Sequence, residues 1–178
     1  GSLVEYLKTF DITTGVMQTH EGLARVAREF VLDLHADGVI YGEIRWAPEQ
    51  HLSRGLTLDQ TVEAVQEGLE AGAEEVRHAG GSIRGGQRVS AMRHADRGLE
   101  IAELAVRHRN NGVVGFDIAG AEAGFPAGNL RDAFDYLAHH FFPATVHAGE
   151  ADGLDSIRGA LFDGRALRLG HGVRLAED

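Results

Sequence analysis

The chain has 178 residues, 43% of them hydrophobic and 25% charged, which suits one soluble globular domain. Seventeen Lys and Arg against 27 Asp and Glu give a formal charge of -10, which repels a nucleic-acid backbone, and no apolar run approaches the roughly 20 residues a membrane span needs. With no cysteine there is no disulfide and no thiolate metal site, so any metal must use His and carboxylate ligands. A cytoplasmic location is the expectation, and nothing ahead of Leu3 reads as a signal peptide.

From Glu21 to His35, Leu23, Val26, Ala27, Phe30, Val31 and Leu34 recur at three- and four-residue spacing and predict one helix, ended by Ala36-Asp37-Gly38. The β-branched and aromatic run from Val39 to Trp46 predicts a strand that stops at Ala47-Pro48. Thr57 and Gln60 form a capping box for a second helix carrying Val62, Val65, Leu69 and Val76, closing near Gly80-Gly81. A strand over 88–92, a helix around Ile101, Leu104 and Ala105, and a strand over 112–118 follow. Asn129 is the expected cap for a helix with Leu130, Ala133, Phe134 and Leu137, ahead of a strand over 143–147. Leu154, Ile157 and Leu161 mark a last helix before a strand over 166–171.

Five strands separated by helices imply right-handed crossovers and a parallel sheet. No glycine-rich phosphate fingerprint opens a helix, since Gly80-Gly81 and Gly85-Gly86 lead into a strand. Polar residues gather instead at the carboxyl ends of successive strands: Glu43 and Arg45, Arg93 and His94, Asp117, His147 and Glu150, and His171. In a parallel barrel those ends converge on one face, where chemistry is done.

In His147-Ala148-Gly149-Glu150 the small residues let an imidazole and a carboxylate face one pocket, suiting a zinc ligand beside a proton carrier. The competing reading is a core histidine beside a helix-capping Glu. His171, between Gly170 and Gly172, and Asp117, ahead of Ala119-Gly120, have equally plain structural readings when taken alone. Glu43 and Arg45 alternate so as to face the interior, where a structural ion pair is expected. The histidines at 20, 35, 51, 78, 108, 139 and 140 read as solvated or packing residues, and the acidic stretch Glu63 to Glu75 as the wet face of its helix.

Taken in order, Ser2-Leu3 through Phe10-Asp11, Glu43-Ile44-Arg45-Trp46-Ala47-Pro48, Met92-Arg93-His94, Phe116-Asp117-Ile118-Ala119-Gly120, His147-Ala148-Gly149-Glu150 and Leu169-Gly170-His171-Gly172 resemble the adenosine deaminase family across nearly the whole chain. The resemblance implies an α/β fold, a partial TIM (β/α)8 barrel whose five strands correspond to the second through sixth of the family. It implies a single incomplete barrel domain over 1–178, in which 1–11 is a substrate-lid-like segment. The implied activity is hydrolytic deamination of adenosine and 2′-deoxyadenosine with one Zn²⁺. Deamination of adenine or aminofutalosine, or a non-catalytic β/α binding module, are the alternatives. His147 matches a zinc ligand, Glu150 the proton donor to purine N1, and His171 the residue that orients the attacking hydroxide. The Gly120 amide would bond purine N3, with Met92 in the pocket wall, Asp117 in that wall or directly behind it, and Leu3, Tyr6, Leu7 and Phe10 in the lid. The family's His-x-His pair and its late Asp-Asp pair would lie outside these residues, so the 178 residues alone are expected to bind zinc poorly and to be inactive. The expected partner is a purine nucleoside, with neither a nucleic-acid polymer nor a membrane.

Overall fold

The computed structural model describes residues 3–177, with side chains from Glu5 onward; the Leu3 side chain, expected in the lid, lies outside the described residues. Two short helices, α1 (Leu3–Leu7) and α2 (Phe10–Val16), precede α3 (His20–Ala36) and β1 (Tyr41–Trp46). Then come α4 (Leu58–His78), β2 (Arg84–Met92), α5 (Gly98–Arg107), β3 (Val113–Ala119), α6 (Arg131–His139), β4 (Thr145–Ala148), α7 (Leu154–Phe162) and β5 (Arg168–His171). The fold is α/β, and no described helix is long and apolar enough to cross a membrane.

All strand pairs are parallel. β1, β2 and β3 form one sheet and β4 with β5 another, and a bridge between Phe116 and Ala144 brings the two together. Among the described residues the outer side of β1 and that of β5 carry no partner strand. The row therefore follows chain order, as helical crossovers of one hand require.

Two apolar clusters fill the space between strands and helices. Leu23, Ala27 and Val31 of α3, one turn apart, meet Ala64, Val65, Leu69 and Val76 of α4 with Ile83. A larger cluster joins β2, β3 and β4 to α5, α6 and α7 around Phe116, Phe134, Ile101, Leu104 and Leu137. Burying each of the Leu, Ile, Val and Phe side chains among them contributes about 1.5–3 kcal/mol, so these clusters hold the strands in place. Helices α3 and α4 approach closely because Gly72 presents no side chain: a Cβ there would lie 2.7 Å from Val31 Cβ and 2.8 Å from the Arg28 carbonyl oxygen.

The Thr57 capping box forms as expected, with Gln60 N donating to Thr57 Oγ1 at 3.2 Å and Thr57 N to Gln60 Oε1 at 2.9 Å. Three expectations need correction. Asn129 caps nothing: it lies inside a 3-10 turn over Ala127–Leu130, and α6 starts at Arg131 with no side-chain cap bond. β2 begins at Arg84, so Gly85 and Gly86 lie within it, opposite Gly42 and Glu43 of β1; cross-strand pairing overrides the weak strand preference of glycine. Glu43 pairs with Arg88 of β2 and not with Arg45, because a neighbouring strand offers a guanidinium one diagonal away. Tyr41 donates its hydroxyl to the same carboxylate at 3.0 Å, and Arg168 of β5 lies 3.5 Å from it.

Candidate active site at the carboxyl ends of the strands

Asp117, fully buried on β3, faces His147 on β4. The His147 Nδ1 lies 2.8 Å from Asp117 Oδ2 and 3.0 Å from Oδ1, and the backbone amides of Ile118 and His147 donate to Oδ1 at 2.7 and 3.3 Å. The carboxylate thus holds the proton on Nδ1 and leaves Nε2 with its lone pair, the arrangement a metal-ligating histidine needs. On the next strand Gly170 makes room for the ring: a Cβ there would sit 2.6 Å from His147 Cγ. Arg93, buried just past β2, donates to the His147 carbonyl and, at 2.7 Å, to that of Phe125. Burial lowers the Arg93 pKa, and the charges of Glu122, Asp117 and Asp152 oppose that shift.

His171 ends β5 with its ring centroid 5.1 Å from that of His147 and its plane turned by 71°. Its Nε2 is 3.2 Å from Glu150 Oε2, and both side chains are nearly two-fifths exposed, open to a ligand. The backbone at His171 is left-handed, φ 62°, which for a residue with a Cβ costs roughly 1–2 kcal/mol. Gly149, at φ 74°, turns the chain between His147 and Glu150; a Cβ there would stand 2.6 Å from Ile157 Cδ1. The structure therefore brings Asp117, His147, Glu150 and His171 to one place.

Gly120 follows β3 at φ 100°, and a Cβ there would lie 3.3 Å from Met92 Cε and 3.4 Å from His94 Nδ1. These three residues share one stretch of wall at the ends of β2 and β3. The Met92 amide donates to Glu49 Oε1 at 2.8 Å, and burial raises the Glu49 pKa against that bond. The residues expected in a lid lie on two short helices. Their helical spacing breaks after Leu7, where Lys8 and Thr9 separate α1 from α2, and α2 buries none of its residues. Tyr6, 60% exposed, and Phe10, 43% exposed, stack edge-on at 5.3 Å against each other, while Leu7 is half-buried.

Sequence reading missed Glu122. It follows Gly120 by two positions, is 4% exposed, and accepts from the amides of Gly149, Glu150, Ala151 and Asp152 and from the Ser156 hydroxyl. No spacing marks it. The signal was indirect: a tight turn bearing four consecutive N–H groups needs an acceptor.

Paired imidazoles with an adjacent carboxylate, one imidazole fixed from behind by a buried carboxylate, can bind a metal and move a proton at a nearby ligand. Comparison with known proteins narrows this. The family described as "Adenosine deaminase" matches residues 1–178. The chain belongs to the adenosine deaminase family. Adenosine deaminase 1 of Streptomyces coelicolor is 58% identical over all of this chain and 45% of its own length, and the adenosine deaminase of Mycolicibacterium gilvum is 54% identical over 49% of its length. The chain thus spans about half the length of these curated relatives. Among solved structures, adenine deaminase from Arthrobacter aurescens matches 99% of the chain and 53% of its own with a TM-score of 0.87 at 24% identity, a likeness of fold. The Arabidopsis N6-mAMP deaminase matches 96% of the chain and 52% of its own with a TM-score of 0.84 at 30% identity.

Proposed function

We propose that the complete protein is a zinc-dependent hydrolase that replaces the 6-amino group of adenosine or 2′-deoxyadenosine with oxygen, releasing inosine or deoxyinosine and ammonia. The carrying observation is the Asp117–His147 pair set 5.1 Å, ring to ring, from the His171–Glu150 pair. The five parallel strands belong, on this reading, to a (β/α)8 barrel whose remaining strands come from the rest of the protein.

His147 would be one zinc ligand, with Asp117 against its Nδ1 fixing its tautomer. Among the described residues no group of three His, Cys, Asp or Glu is placed to hold a metal. Bound zinc makes a water molecule acidic enough to act as a nucleophile near neutral pH. The chain's own residues do the rest. Glu150 delivers a proton to purine N1, which lets the ring accept electrons as the attacking oxygen approaches C6. His171, beside the Glu150 carboxyl group, orients that oxygen. The Gly120 amide donates to purine N3, and Met92 packs on the base. Tyr6, Leu7 and Phe10 close over the nucleoside and exclude water once it is bound.

The test is Glu150→Gln in the full-length protein. General acid catalysis contributes about 10²–10⁴-fold, so turnover should fall by that factor with the zinc content unchanged. Unchanged turnover would remove Glu150 from the chemistry, and a preference for adenine over adenosine in the parent would reassign the substrate.

A further inference from the structure

A loop that carries a proton donor has to hold it still, and the turn after β4 has no secondary structure with which to do so. Its four successive amides all point at one side chain. Gly149 N lies 2.5 Å from Glu122 Oε1, while Glu150 N, Ala151 N and Asp152 N lie 3.0, 2.7 and 3.2 Å from Oε2. The Ser156 hydroxyl, in the first turn of α7, completes the set at 2.6 Å from Oε1. Such a concave row of N–H groups is an anion site by nature, and here the anion is built into the chain.

We infer that Glu122 is a positioning residue for deamination: its buried carboxylate fixes the 149–152 turn and thereby the place of the Glu150 carboxyl against the substrate. This rests on the proposed activity. The charge is suited to the task. Burial alone would raise the Glu122 pKa, but the bonds from Ser156, Ala151, Gly149 and Glu150 outweigh it and lower it, so the acceptor is ionised at neutral pH. Arg93 is near enough to feel that charge and holds the carbonyl of His147 at the other end of the same turn. The turn is therefore gripped at its start by a cation on a carbonyl and along its length by an anion on amides. A neutral amide at 122 offers one acceptor oxygen for five donors and turns an NH2 group towards some of them. Glu150 would then move by fractions of an ångström, which is enough to misplace a proton transfer.

The experiment compares Glu122→Gln with the parent in the full-length, zinc-loaded enzyme. The expected result is a fall in kcat of about 10–100-fold with KM for adenosine within threefold, zinc content unchanged and the far-ultraviolet dichroism of the parent. Affinity for a purine nucleoside with a tetrahedral hydroxyl-bearing C6 should fall in step with kcat, while affinity for inosine holds, because the loss is confined to the transition state. Glu122→Asp, which keeps the charge at a shorter reach, should recover part of the loss. A folded Glu122→Gln enzyme with kcat within threefold of the parent overturns the inference, as does a loss shared equally by kcat, zinc content and inosine binding. If Glu122→Gln does not fold, Ser156→Ala, which removes a single donor, takes its place: a threefold to tenfold fall in kcat at constant KM supports the inference, and an unchanged kcat overturns it. A parent enzyme inert towards adenosine would instead sink the proposed activity.

Discussion

Exchanging Asp117 for Asn removes a buried negative charge from 2.8 Å behind the His147 ring and leaves a side chain that can present NH2 to the same nitrogen. The imidazole then loses its tautomer preference. On the proposed zinc site, Asp117→Asn in the full-length protein should weaken zinc binding by about 10–100-fold, as titration against a chelator would measure; unchanged affinity would mean that Asp117 does not support the ligand. At this scale the sequence was informative where a residue type and a strand end coincided. His147, Glu150 and His171 stood out because strongly functional side chains sat between small residues. Glu122 did not stand out, since its partners are backbone amides, which every sequence has and none advertises. Glu43 was seen but given the wrong partner: pattern along one strand orders side chains by face, while the choice between Arg45 and Arg88 is made by the neighbouring strand.

Helix boundaries were legible where a side chain makes the boundary. Thr57 and Gln60 satisfy each other's amides at the start of α4. Replacing Thr57 with Ala should cost about 1 kcal/mol, read as a lower denaturant midpoint with unchanged slope. Helix α6 was misread at its start because a 3-10 turn precedes it, and there the backbone closes on itself without a cap from the Asn129 side chain. The lid region shows the limit of periodicity. Leu3, Tyr6, Leu7 and Phe10 fit one helical face on paper, yet Thr9 bonds back to the Tyr6 carbonyl through both its amide and its hydroxyl, and the chain starts a new helix.

For the molecule as a whole, acid should act first through paired carboxylates. Asp59, at the start of α4, binds Arg107 through both oxygens at 2.9 Å and lies 2.6 Å from His108, joining α4 to the end of α5. Chiefly through the Arg107 bond its pKa is lowered to about 2. The unfolded value is near 3.9, so the pair stabilises the fold fully above about pH 4, and that contribution fades as pH falls towards 2. Asp59→Asn should therefore flatten this part of the acid-unfolding curve while leaving the neutral region less stable. The five-strand succession itself was legible from alternating periodicities, and the parallel pairing followed from crossover length. What closes the row was not, because β1 and β5 have bare outer sides among the described residues and Phe141, Phe162 and Leu167 are largely exposed. Expressed by itself, the 178-residue chain should associate and bind zinc weakly, as sedimentation and metal analysis would show; a sharply melting monomer would argue against this.

The left-handed backbone at His171 carries one more implication. Asparagine and glycine tolerate that conformation better than histidine does, so a chain relieved of its imidazole there should be no harder to fold, and could be hardier, than its parent. On the role proposed for the His171 ring, thermal robustness and chemistry pull in opposite directions at this position.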